Sequence, residues 1–142
     1  MIRQAQVADE PQIMTIWLNG NFEAHNFVPQ DYWQRHYEET RAMLGQADIY
    51  VYEIDGKILG FAGLMADYLA GIFVASAAQS KGIGQALLAA VKADHARITL
   101  HVYQKNQHAV NFYKRAGFKI HEEDIDETTG ENEFEMTWQR AN

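Results

Sequence analysis

The stretch Gln79-Ser80-Lys81-Gly82-Ile83-Gly84 joins an apolar segment ending at Val74 to a segment in which Leu87, Leu88 and Val91 recur at helical spacing. Glycines at such a junction remove side chains where the chain must tighten, so successive backbone N–H groups can point at one anion at the positive end of a helix. That is the chemistry of a phosphate cradle. An ordinary strand-to-helix turn could hold the same two glycines, so the pair alone leaves both readings open. Two better-defined phosphate loops are excluded, because neither G-x-x-x-x-G-K-S/T nor G-x-G-x-x-G occurs. A second group of residues begins in Arg97-Ile98-Thr99-Leu100-His101-Val102-Tyr103. Its apolar residues alternate with Thr99, His101 and Tyr103 before Asn106 opens a segment leading to Tyr113. His101 is either a group that titrates near neutral pH or a solvated residue on the polar face of a strand.

The elements that must position these residues alternate in order. Ile2 to Gln6 reads as a short strand, and Asp9 with Gln12 as a capping pair for a helix through Ile13, Ile16 and Trp17. A second helix is expected from about Gln30 to Leu44, with Trp33, His36, Tyr37, Thr40, Met43 and Leu44 mostly in the core. IYVYEI and KILGFAGLM flank Asp55-Gly56, the signature of a hairpin with a type I′ turn. A strand from Leu69 to Val74, the helix after Gly82, the strand Arg97–Tyr103 and a helix ended by Gly117 follow. Two closing strands flank TTGEN. The order βααβββαβαββ predicts an α/β (α+β) protein with a single mixed, mostly antiparallel sheet flanked by helices, in one domain spanning residues 1–142.

Composition narrows the function. The chain has 142 residues, 47% of them hydrophobic, enough for its own core. It has no cysteine, which excludes thiol nucleophiles and disulfides and points to an intracellular, cytoplasmic protein. No two of its six histidines lie four residues apart, so no metal site is expected. The net charge of −7 argues against nucleic acid and suits a cationic partner. Residues 58–78 are apolar enough to suggest a membrane span, but Asp67 and the glycines divide them, and two buried strands explain them better.

Gln79-x-x-Gly82-x-Gly84 after Phe73-Val74 resembles the acyl-CoA pyrophosphate loop of the GNAT N-acetyltransferase superfamily. Asn106-x-x-Ala109-x-x-Phe112-Tyr113-x-x-x-Gly117-Phe118 is similar to a second motif of that family, one helix and one strand further on. The resemblance covers the whole chain and is closest to small bacterial members. It implies that Ile72, Phe73 and Val74 splay from Arg97–Tyr103 and bond the pantetheine arm of acetyl-CoA, a distortion that Gly71 would ease. The pyrophosphate would then rest on the backbone of Gln79, Ser80, Lys81, Gly82, Ile83, Gly84 and Gln85. Asn106 would cap its helix and touch the arm, and Tyr113 would stand beside the sulfur as proton donor.

The reaction implied is direct transfer of the acetyl group from acetyl-CoA to a primary amine. A backbone N–H at Phe73 or Val74 would meet the oxyanion. An amine of pKa about 10.4 is neutral to about one part in a thousand near pH 7, a cost of roughly 4 kcal/mol, so a base is useful. Many relatives carry a glutamate five residues before the asparagine. This chain has His101 there, which either takes the role of base or merely occupies the place. Asp67, Tyr68, His25 and Asn26 lie near the expected acceptor side and read as ordinary loop residues. His101 also feeds a second reading, an acyl-CoA-binding regulatory module with little or no transferase activity. The acceptor is a protein lysine, a protein N-terminus or a small amine, and the protein a monomer or homodimer.

Overall fold

The computed structural model describes residues 1–141. The chain runs through β1 (Ile2–Gln4), α1 (Glu10–Ala24), α2 (Gln30–Arg35), α3 (Tyr37–Met43), β2 (Asp48–Ile54), β3 (Lys57–Met65) and β4 (Tyr68–Val74). It continues through α4 (Ile83–Asp94), β5 (Arg97–Tyr103), α5 (Gln107–Arg115), β6 (Lys119–Ile125) and β7 (Asn132–Gln139). One seven-stranded sheet takes the order β1-β2-β3-β4-β5-β7-β6, and every neighbouring pair is antiparallel except β4 with β5.

Strand alternation gives the sheet two apolar faces. On one, Leu87, Leu88 and Val91 of α4 and Val110 and Tyr113 of α5 pack with Ala62, Leu64, Leu100, Val102 and Met136. On the other, Ile13 and Ile16 of α1 pack with Ile49, Val51 and Phe61. A smaller cluster of Val28, Trp33 and Tyr103 closes the space under the α1–α2 loop. The Asp55-Gly56 turn forms as expected, with φ of 52° and 80°, the two positive angles a type I′ turn requires. Gly117, at φ 97°, ends α5.

Two expectations need correction. The helix expected over Gln30–Leu44 is broken at His36, which sits at φ −92°, ψ 0° between α2 and α3. The chain bends there around a single indole, with Trp33 and Tyr37 meeting the Trp17 ring edge-on at 6.1 and 6.4 Å. Of the apolar positions expected inside, Trp33 is buried and Met43 is exposed. The Asp9–Gln12 capping pair does not form either. Arg3 binds the Asp9 carboxylate at 2.7 and 3.0 Å and holds it below its ordinary pKa, while Gln12 Oε1 accepts the Ile58 N–H. A guanidinium makes a stronger partner for a carboxylate than a helix N–H does.

Candidate active site

β4 and β5 pair at two register positions, Tyr68 with Thr99 and Leu69 with Leu100. Beyond these, each strand follows its outer neighbour: Gly71–Val74 stays with β3, and Leu100–Tyr103 stays with β7. The cause lies at Ala70. Gly63 pairs with Gly71 and Leu64 with Leu69, so Ala70 is an extra residue on β4, a bulge that bends the strand away from β5. A cleft opens within the sheet, and the β4 wall presents backbone groups with no strand beside them. The splay expected at Ile72–Val74 is therefore present, and Gly71, next to the bulge, has a further purpose. A Cβ on Gly71 would lie 2.6 Å from the Phe73 ring, and one on Gly20 of α1 would lie 2.9 Å from it. Two glycines make the slot for that ring, which stacks on Phe61 at 5.2 Å.

At the far end of β4 the chain turns into α4. Ser80 and Gly82 adopt left-handed conformations, φ 65° and 81°, and no side chain caps the helix. Among the described residues, nothing accepts the backbone N–H groups of Ser80, Lys81, Gly82, Ile83, Gly84 or Gln85. An unbroken run of free donors at the positive end of a 12-residue helix can take an anion. Gln79 braces the turn, its Nε2 donating to the Val74 carbonyl at 3.3 Å. Ile83 is buried in the core, and Lys81 is exposed.

Tyr113 projects from α5 into the core beside the cleft, its ring edge-on to Phe112 and Phe118 at 5.2 and 5.4 Å. Burial raises its phenol well above the ordinary range, with the Tyr68 phenol adding a smaller push, so it keeps its proton as a hydrogen-bond donor. α5 itself is opened by Asn106, whose Oδ1 accepts the Ala109 N–H at 3.3 Å. The rest of that amide is engaged too, since Nδ2 donates to His25 Nε2 at 3.1 Å.

On the other side of the cleft, the Tyr68 hydroxyl lies 2.9 Å from His101 Nδ1. His101 Nε2 lies 4.0 Å from Glu135 Oε1, and His121 Nε2 lies 3.8 Å from Glu135 Oε2. Strand pairing builds this row, with His101 opposite Glu135 and Glu135 opposite Glu122. Burial first, and then the charge of Glu133, raise the Tyr68 pKa. Tyr68 thus keeps its proton and can donate it to Nδ1, the arrangement that would leave an Nε2 proton facing Glu135. A histidine backed by a carboxylate in this way can take up a proton. The rim is tied down by Tyr103, which donates to Asp126 Oδ2 at 2.6 Å, and by Tyr32 and Thr128, whose hydroxyls lie 2.8 Å apart.

The acetyltransferase (GNAT) domain family matches residues 45–120, more than half of the chain, including the cleft, the free amides and α5. The chain belongs to the GNAT acetyltransferase family. It is 43% identical over 122 residues to the peptidyl-lysine N-acetyltransferase YiaC of Escherichia coli (strain K12), which is 84% of each chain. Its fold is shared with the solution structure of apo YjaB from Escherichia coli, with a TM-score of 0.85 at 21% identity over 96% of this chain and 95% of that one. It is shared as well with the crystal structure of PaiA N-acetyltransferase from Thermoplasma acidophilum in complex with coenzyme A, with a TM-score of 0.81 at 18% identity over 99% and 98% of the two chains.

In this GNAT acetyltransferase Ile72–Val74 form the unpaired wall of β4, the Ser80–Gln85 amides follow at the start of α4, and Asn106 caps the helix that carries Tyr113. His101 stands across the cleft, beside Tyr68. Sequence reasoning undervalued Tyr68 and His25 and did not single out Glu135 as the partner of His101. The alternation Glu133, Glu135, Thr137 against Phe134, Met136, Trp138 marks one polar face of β7, but only the register shows what that face meets. Among the described residues, no group of His, Asp and Glu could hold a metal ion, and no helix is long and apolar enough to cross a membrane.

Proposed function

We propose that this acetyltransferase moves the acetyl group of acetyl-CoA to the ε-amine of protein lysines by direct attack. The observation that carries the reading is the run of free amides at the start of α4, following in the chain directly after the unpaired wall of β4. The lysine acceptor is supported by the name of the 43%-identical relative, a peptidyl-lysine N-acetyltransferase. Glu133, Glu135 and Asp126 near Tyr68 give the acceptor side an acidic character suited to an amine.

In this reading the diphosphate takes the N–H groups of Ser80–Gln85, with Gln79 bracing the turn and Lys81 adding charge from the surface. The arm lies against Ile72, Phe73 and Val74, and a backbone N–H of Phe73 or Val74 meets the oxyanion. The lysine nitrogen forms the new C–N bond as the C–S bond breaks. Its proton passes through Tyr68 or a water to His101, where Glu135 stabilises the imidazolium. Tyr113 donates a hydrogen bond to the departing thiolate. With no cysteine in the chain, no thiol acyl-enzyme takes part.

The acceptor is tested by incubating the enzyme with isotopically labelled acetyl-CoA, a protein extract and a panel of small amines, then mapping the label by mass spectrometry. Label on lysine side chains is the expected result. Label confined to protein N-termini or small amines would overturn the lysine assignment.

A further inference from the structure

His25 closes α1 and is half-buried among aromatic rings: Phe27 at 5.8 Å, Trp33 at 5.4 Å and Tyr103 at 4.9 Å. None of the steps above uses it. Its two ring nitrogens sit in a hydrogen-bond chain that joins two backbone groups of fixed polarity. At one end the Ala109 N–H, which can only donate, reaches Asn106 Oδ1 at 3.3 Å. Asn106 Nδ2 must therefore face His25 Nε2, at 3.1 Å, as a donor. At the other end the Trp17 carbonyl, which can only accept, takes Asn21 Nδ2 at 2.9 Å. Asn21 Oδ1 is thereby turned to His25 Nδ1, at 2.8 Å, as an acceptor. The ends settle every link between them, and one imidazole form satisfies both neighbours: neutral, with its proton on Nδ1. A proton on Nε2 would set N–H against N–H and force the Asn106 amide to turn, which would break the cap of α5.

We propose that His25 is a positioning residue of this acetyltransferase, which as a neutral Nδ1–H imidazole holds Asn106 in its capping orientation and so ties the loop on the acceptor side to the helix carrying Tyr113. The proposal rests on the assignment of Tyr113 to the leaving thiolate. Burial works in the same direction as the hydrogen bonds, lowering the His25 pKa to about 4. Charges on the elements packed against it include Lys105, 5.4 Å from the Phe27 ring, and Asp126, bonded to the Tyr103 hydroxyl. Neither touches the imidazole. Asn21 is itself buried, so that end of the chain is withdrawn from water.

The test has a spectroscopic arm and a kinetic arm. Imidazole 15N NMR of the wild-type protein should show His25 protonated at Nδ1 and unprotonated at Nε2 through mildly acidic pH. Asn106→Asp replaces the donor facing Nε2 by an acceptor, so His25 should then carry a proton on Nε2 and titrate at a pH at least one unit higher. An unchanged tautomer and titration in that variant would overturn the proposal. In kinetics, His25→Leu should lower kcat about tenfold with little change in the acetyl-CoA KM, and His25→Gln, whose carbonyl can still accept from Asn106, should recover most of the loss. Equal turnover in the wild type and His25→Leu would overturn the positioning role. The NMR arm needs no turnover, so a failure of the Tyr113 assignment would appear in the kinetics alone.

Discussion

The ring of Phe73 occupies the space that a Cβ on Gly71 would need, 2.6 Å away. Because Phe73 belongs to the β4 wall of the cleft, the packing of its ring fixes the course of the backbone on which an acyl-CoA arm would lie. Gly71→Ala should displace the ring and destabilise the fold by about 1–3 kcal/mol, the usual cost of overpacking. It should also raise the acetyl-CoA KM. Adding Phe73→Leu should recover part of the stability. Denaturant unfolding of the single and double variants measures this, and an additive result would rule out the steric link.

The amide run makes a different prediction for its two glycines. Gly82 has φ 81°, so Gly82→Ala should cost about 1–2 kcal/mol of stability through the left-handed conformation alone. A Cβ on Gly84 would meet the Phe112 ring only at 3.6 Å, an ordinary contact. Gly84→Ala should therefore leave the melting temperature unchanged or raised, yet weaken acetyl-CoA binding about tenfold by standing where the diphosphate approaches. Calorimetric titration with acetyl-CoA reads this directly. Undiminished affinity would move the anion away from Gly84.

Tyr113→Phe keeps the ring packed against Phe112 and Phe118 and removes only the hydroxyl. Turnover should fall about tenfold to a hundredfold, within the range of a lost hydrogen bond to a charged group, while acetyl-CoA affinity changes little. Single-turnover release of CoA thiol separates the two quantities. A fall confined to affinity would make Tyr113 a wall of the arm site instead of a donor to the sulfur.

Much of this architecture was legible from local pattern. The Asp55-Gly56 hairpin, the β5 strand and the α5 helix with Asn106 at its head each depend on residues close in sequence, and each formed as read. The sequence also placed the glycine turn between β4 and α4. What it did not disclose depends on partners far along the chain. Arg3 captures Asp9, so a capping pattern of the right spacing does not cap. Trp17 bends the helix at His36. His25 looks like a loop residue because Trp33, Tyr103 and Asn106, which surround it, come from three later elements. Tyr68 and Glu135 join His101 only through the register of β4, β5 and β7, and a polar alternation does not state its register.

Tyr68 and Glu135 turn the question about His101 into a pattern of pH profiles. If His101 receives the amine proton with Glu135 behind it, the acidic limb of the kcat/KM profile should vanish or move in His101→Ala. Glu135→Gln should lower turnover, because it removes the carboxylate that would stabilise the imidazolium formed during transfer. Tyr68→Phe should lower turnover without moving the limb. The same limb in His101→Ala as in the wild type would assign the base elsewhere.

The burial of His25 should be visible in the stability of the protein. Its pKa is lowered to about 4 in the folded state by burial, against an ordinary value of 6.5. Above pH 6.5 the imidazole is neutral in both states and no penalty applies. As pH falls from about 6.5 to 4, the unfolded chain binds a proton that the folded protein refuses, so stability drops, by about 3 kcal/mol in total. Asp9, whose carboxyl Arg3 holds low, and Asp126 lose their contributions only below their ordinary value of 3.8, outside this window. Burial raises Glu133, which acts with the opposite sign from 4.5 upward, so the comparison must be made between variants. His25→Gln has nothing to protonate and keeps Glu133 in place. Denaturant unfolding at neutral pH and at a pH of about 4.5 should show the wild type losing about 2 kcal/mol more than the variant on acidification. Equal losses would mean that the imidazole takes its proton inside the folded protein, which the donor facing its Nε2 forbids.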